Sequence, residues 1–194
     1  MKQYAVVHGM QGLQEGYSNT ECEFFITRNG ADKRVAEMLT DFRDDKNCVR
    51  IVHDDDGGAV FYLYYDGDPL DLTDDDKNNE DFLLEECESQ FVKVVEIDGA
   101  YKVSEQPEWL VWSQLDNEPI WDYYPSSLGL VARMAEEVAE NHGDHKSHGS
   151  GWALTQLAEF SRDVYYNSTS MLDIDDMSVH VFKIPNHKFQ TIEA

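Results

Sequence analysis

The residues with the greatest capacity for chemistry in this 194-residue chain are carboxylates. Asp54, Asp55, Asp56, Asp66, Asp68, Asp71, Asp74, Asp75, Asp76, Glu80, Asp81, Glu85, Glu86, Glu88, Glu96, Asp98, Glu105 and Glu108 crowd one stretch of it. Alternate residues of a strand point to one face about 6.6 Å apart, comparable with the spacing of phosphates along a nucleic-acid strand. Carboxylates arrayed on a sheet face, its loops and a flanking helix would therefore imitate the charge pattern of a duplex. The plainer alternative is a hydrated acidic surface that serves solubility.

Two narrower patterns point to metals. Asp74, Asp76, Asn78 and Glu85 fall at the first, third, fifth and twelfth positions of a calcium-binding loop, with Asn79 where that loop needs a glycine. Asp81 occupies the position that is normally apolar, and no long helix precedes the segment, so diffuse cation condensation is the expected behaviour. Further on, His142, His145 and His148 recur at every third residue with Asp144 among them, and His180 and His187 follow. Imidazoles and a carboxylate are suitable zinc ligands, and a site with one open position would activate water for hydrolysis. These histidines lie among Gly, Ser and Lys, however, and the expected element is an exposed loop between helices. No cofactor is expected; zinc and calcium are the minor alternatives. Gly-x-Ser-x-Gly, phosphate-loop, dinucleotide and His-Glu-x-x-His motifs are absent.

The charge is unevenly placed. The chain has 39 Asp and Glu against 15 Lys and Arg, a formal net charge of -24. Residues 1–53 carry 8 acids and 7 bases, residues 54–122 carry 21 acids and 3 bases, and residues 123–194 carry 10 acids and 5 bases. A halophilic protein would spread its acids throughout, whereas here the first 53 residues are nearly neutral. Direct binding to nucleic acid or to an anionic membrane is disfavoured, because the main sequence-independent attraction becomes repulsion. With 41% hydrophobic residues the chain still has material for a core. Cys22, Cys48 and Cys87 are odd in number and widely spaced, which favours free thiols in a reducing cytoplasm. The opening apolar run is short and broken at His8, so export is not expected, and no run is long enough for a membrane helix.

The elements that must position these residues indicate an α+β fold. Strands are expected at 4–8 and 24–27, a turn at Asn29-Gly30, and a helix over 31–46 with Val35, Met38, Leu39 and Phe42 on its apolar side. A hairpin follows, 48–53 with 59–65, in which Phe61, Leu63 and Tyr65 share one face while Tyr62 and Tyr64 share the other. An acidic loop through Asp74–76 leads to a short helix at 80–88 with Phe82, Leu83 and Leu84 as its apolar side, then a hairpin of 91–97 with 101–104 across Asp98-Gly99, and a strand at 108–115. The last third reads as two helices, 126–141 capped by Ser126 or Ser127 and 152–165, with a final strand at 177–184. On the first of these helices Leu128, Val131, Met134, Ala135 and Val138 are expected on one face. One domain spanning 1–194 with a mostly antiparallel sheet is the expected organisation. Its natural subdivision is a sheet-rich, acidic region over 1–122 and a helical region over 123–194.

These readings favour a non-enzymatic, cytoplasmic inhibitor or regulator that occupies the basic DNA- or RNA-binding site of a partner protein. In charge and size it is similar to the acidic DNA mimics with which phages and mobile elements counter restriction or CRISPR defence; no motif carries that likeness. The alternatives are a metal-dependent hydrolase built on the histidine loop, and an acidic interaction domain without mimicry.

Overall fold

The computed structural model describes residues 2–10, 20–55, 57–97, 109–113, 118–121, 123–141, 150–174 and 177–185. Among them are two antiparallel sheets and five helices, an α+β arrangement, and the chain divides into two compact units, Met1–Tyr101 and Lys102–Ala194. That division lies ahead of the compositional shift after residue 122, because strands before the shift pair with strands near the C-terminus.

In the first unit, β1 (Gln3–Met10), β2 (Glu21–Phe25), β3 (Cys48–His53), β4 (Ala59–Leu63) and β5 (Glu88–Ile97) form a sheet in the order β2-β1-β5-β4-β3. One face is covered by α1 (Arg28–Asp44), whose Ala31, Val35 and Met38 pack with Val6, Ala59, Phe61 and Val92. Phe42 stacks on Phe61 with ring centroids 4.1 Å apart. Asn29-Gly30, expected as a turn, is instead the first turn of α1. Thr27 caps that helix by accepting a hydrogen bond from the Gly30 amide at 3.1 Å, so a local hydroxyl overrides the turn preference of the dipeptide.

The β3–β4 hairpin turns through a loop with Gly57 at φ 88°, a conformation that disfavours side chains. Asp54 ties the loop: its amide donates to the Gly58 carbonyl, and its carboxylate accepts from the Gly58 amide. A Cβ on Gly58 would lie 2.6 Å from the Val92 carbonyl oxygen and 2.5 Å from the Asp54 carboxylate. Because backbone of the central strand cannot yield as a side chain can, Gly58→Ala is expected to destabilise the first unit by about 1–3 kcal/mol. Urea unfolding followed by far-ultraviolet circular dichroism measures this, and an unchanged midpoint contradicts it.

In the second unit, β6 (Trp109–Ser113), β7 (Glu118–Pro119), β8 (Thr169–Ile174) and β9 (Met177–Lys183) order as β7-β6-β9-β8. Strands β7 and β8 were not expected, since one is two residues long and the other, Thr-Ser-Met-Leu-Asp-Ile, lacks a clear polar and apolar alternation. Helices α4 (Ser127–Asn141) and α5 (Ser150–Tyr166) supply Leu130, Met134, Val138, Ala153, Phe160 and Val164 to a core with Trp109, Val111, Leu172, Ile174, Val179 and Val181. Ser126 accepts from the Gly129 amide at the start of α4, as a capping serine does. Leu128, expected on the buried side, is 76% exposed. The buried series runs Leu130, Met134, Val138, and a residue two positions before Leu130 points the other way. Lys183 lies over the Trp109 ring, 5.7 Å from its centroid, and Trp109 Nε1 donates to Ser127 Oγ at 2.9 Å. Among the described residues no helix is long and apolar enough to cross a membrane. Cys22, Cys48 and Cys87 are all free.

Candidate acidic interface

Local chemistry lets so acidic a segment fold. A 3-10 turn (Pro69–Asp71), α2 (Asp74–Asn78) and α3 (Glu80–Glu86) follow one another closely, where a loop was expected as far as Asp76. Each begins with a polar cap. Asp68 accepts from the Leu70 amide, Thr73 and Asp76 form a reciprocal capping box, and Asn79 accepts from the Asp81 and Phe82 amides. Asp71, Asp74, Asp75, Asp76, Glu80 and Asp81 all lie in first turns. There the unsatisfied amides present partial positive charge, which offsets some of the repulsion among neighbouring carboxylates. Hydrogen bonds from the Thr73 hydroxyl and amide hold the Asp76 carboxyl below the usual carboxylate range. The signal was present in the sequence as Thr73 followed three residues later by Asp76.

A few inward contacts fasten this segment to the sheet. Ile51 of β3 packs with the α1 side, so alternation sends Arg50 to the opposite face, where it donates to the Lys77 carbonyl at 3.2 Å. Tyr64 meets Phe82 with ring centroids 5.9 Å apart, and Leu83 is buried. The two faces expected of residues 61–65 thus separate: Phe61 and Leu63 are core, while Tyr62 and Tyr64 are half-buried. The strand stops at Leu63, leaving Tyr65 exposed. Partial desolvation of the exposed side chain, then the nearby Glu88 and Asp45, raise the Tyr65 phenol above its ordinary range.

The remaining side chains face water. Asp54, Asp55, Asp66, Asp68, Asp71, Asp74, Asp75, Glu80, Asp81, Glu85, Glu86 and Glu96 are exposed; Asp76 and Glu88 are half-buried. Among the described residues, Glu96 is ion-paired with Lys2, but no ion pair joins a carboxylate between Asp54 and Glu88 to a base. Outside this stretch several acids have a base within reach, while Asp41, Asp44, Glu140 and Glu159 form no ion pair among the described residues. Glu23 meets Arg34 at 2.7 Å, Asp32 meets Arg28 at 2.7 Å, Glu37 lies near Lys33 and Arg34, and Arg133 meets Glu137 at 2.7 Å. His8 Nε2 sits 3.6 Å from Glu23 and 3.8 Å from Glu21, yet burial outweighs those carboxylates and lowers its pKa.

Three of the expected carboxylates have internal work: Asp54 ties the hairpin loop, Asp68 caps a turn and Asp76 closes a capping box. The calcium-template residues do not form a loop around a common centre. Asp74 to Asn78 are helical, and the Asn78 side-chain amide donates to the Asp74 carbonyl at 2.6 Å. Among the described residues no group of three or more His, Cys, Asp and Glu converges as a metal site. Asp56, Asp98, Glu105 and Glu108 lie outside the described residues, as do His142, Asp144, His145, His148 and His187 and the expected strand at 101–104. His180 belongs to β9 and is buried, where desolvation lowers its pKa to about 4.

The acid-rich window 54–122 also crosses the boundary between the units. Sixteen of its acids and two of its bases fall at residues 54–101 in the first, while Glu118 belongs to β7 of the second. Compared with protein-family models, curated proteins and solved structures, the chain matches none.

Proposed function

We propose that the chain is an acidic inhibitor or regulator whose first unit presents carboxylates in place of nucleic-acid phosphates to the basic binding site of a partner protein. The carrying observation is the contrast in pairing. Several carboxylates on β2, α1, α4 and α5 have basic neighbours, whereas among the described residues no carboxylate from Asp54 to Glu88 forms an ion pair, and most of them are exposed. Concentrated like charge opposes folding, and an accumulation left without local counter-charge is consistent with neutralisation from outside the chain. The capped turns and helices hold these groups on ordered backbone, which lowers the entropy lost when a partner engages them. Long-range attraction would steer the chain to a basic cleft, and the affinity would fall with salt. A restriction or CRISPR nuclease is the class of partner this chemistry suits.

The immobilised chain is therefore expected to retain DNA-binding proteins from a bacterial lysate at low salt and release them at high salt. Duplex DNA should elute them, and uncharged dextran should not. Retention that resists salt, or that DNA fails to compete, removes the reading.

A further inference from the structure

We propose that Leu70 and Leu84 are apolar anchors within the acidic segment, and that the occupant is a basic protein segment carrying aliphatic residues among its Arg and Lys. This rests on the reading of residues 54–88 as a surface for a basic partner, and adds that charge alone does not define that partner. Leu70 is 87% exposed and Leu84 68%, the former between Asp68 and Asp71 in the 3-10 turn. On α3, Leu83 is buried and Phe82 is half-buried against Tyr64, so the helix has turned its other apolar residues inward. Leu84 stays on the outer arc, where its neighbours one turn back are Glu80 and Asp81.

Those neighbours select the occupant. A second copy of the chain packed through the same face would bring its own Glu80 and Asp81 against these carboxylates and be repelled. An anionic lipid surface fails for the same reason, and an uncharged apolar surface would strip water from the carboxylates without replacing it. Arg and Lys satisfy both demands, since their aliphatic stems cover apolar surface while their charged heads reach the acids. Aliphatic residues set among them complete the contact, because burying a leucine strengthens binding roughly tenfold or more.

The test uses two synthetic helical peptides of equal length and equal Arg content, one with Leu and one with Ser at the intervening positions, titrated against the whole chain by fluorescence anisotropy. The Leu peptide is expected to bind at least about tenfold more tightly. A Leu70→Ser, Leu84→Ser double variant, unchanged in charge, should bind both peptides alike and retain the salt dependence of the parent. Equal affinity of the parent for the two peptides, or a preference that persists in the double variant, overturns the anchors while leaving the acidic surface standing. Failure of both peptides to bind at low salt overturns the two readings together. Both leucines are exposed, and an unaltered circular-dichroism spectrum establishes that the double variant folds.

Discussion

Neutralising Asp71, Asp74, Asp75, Glu80, Asp81 and Glu85 with Asn or Gln is expected to weaken binding to a DNA-competed partner by about 100-fold at low salt. Exposed charge pairs contribute only about 0.2–1 kcal/mol each, so the effect must come from several acting together. These six are exposed, have no ion-pair partner among the described residues, and do not use their side chains as the caps that Asp68 and Asp76 provide. The amide replacements keep shape while removing charge, although they give up some favourable interaction with the first-turn amides. The dependence of affinity on salt should become shallower as well, because fewer charges remain to be screened. A control that neutralises Glu37, Glu136 and Asp163, which already have basic neighbours, should leave affinity nearly unchanged. The decisive measurement is the affinity of both variants across a salt series. A loss of binding free energy in the control about half that of the variant, in proportion to three charges against six, would mean that total charge matters and the placement of the acids does not.

The second large effect concerns pH and the other unit. His180 lies on β9 opposite Trp112 and Met171, with Phe182 6.1 Å away, and burial pushes its imidazole down to about 4. The unfolded chain takes up a proton near pH 6.5 that the folded chain refuses until about pH 4, so the stabilising contribution is complete above the upper value and lost through that interval. The total is on the order of 3 kcal/mol, with about 2 kcal/mol lost by about pH 5. Asp173 acts in the opposite direction, since burial raises its carboxyl pKa and favours folding as the pH falls. The informative quantity is therefore the difference between the parent and His180→Leu, which cancels the carboxylates they share. That difference should shift toward the variant by about 2 kcal/mol between neutral pH and about pH 5. All four tryptophans, Trp109, Trp112, Trp121 and Trp152, belong to the second unit, so their fluorescence during urea unfolding reports it selectively. A pH-independent difference between the two proteins would be incompatible with this account of His180.

Much of the first unit was legible because its patterns are local. The alternation around Phe61 and Leu63 identifies the strand and its buried face, and Val35 and Met38 at helical spacing identify the side of α1 that packs on it. The acidic helices were only half legible. The apolar run Phe82, Leu83 and Leu84 announced α3, while three consecutive aspartates obscured the capping box that starts α2. Strand β8 was obscured for a different reason: Thr169, Met171 and Asp173 give it an exposed alternation that acquires meaning only when β9 lies alongside. Leu128 and Leu84 show a related limit. An apolar residue in a helix is assigned to the core until the arc occupied by its neighbours is known.

The α+β character, the excess of acid and its concentration in residues 54–122 can all be read from the amino-acid order alone, since periodicity and charge are properties of consecutive residues. Which acids are available is a matter of tertiary structure. The fold assigns Asp54, Asp68 and Asp76 to turns and caps, supplies bases to Glu23, Asp32 and Glu37, and leaves a set between Asp66 and Glu86 facing water. It also divides the acid-rich window between two units. The reason is that ion pairing and exposure depend on which distant strands and helices meet, as when Arg34 of α1 reaches Glu23 of β2 or Arg50 of β3 reaches the end of α2.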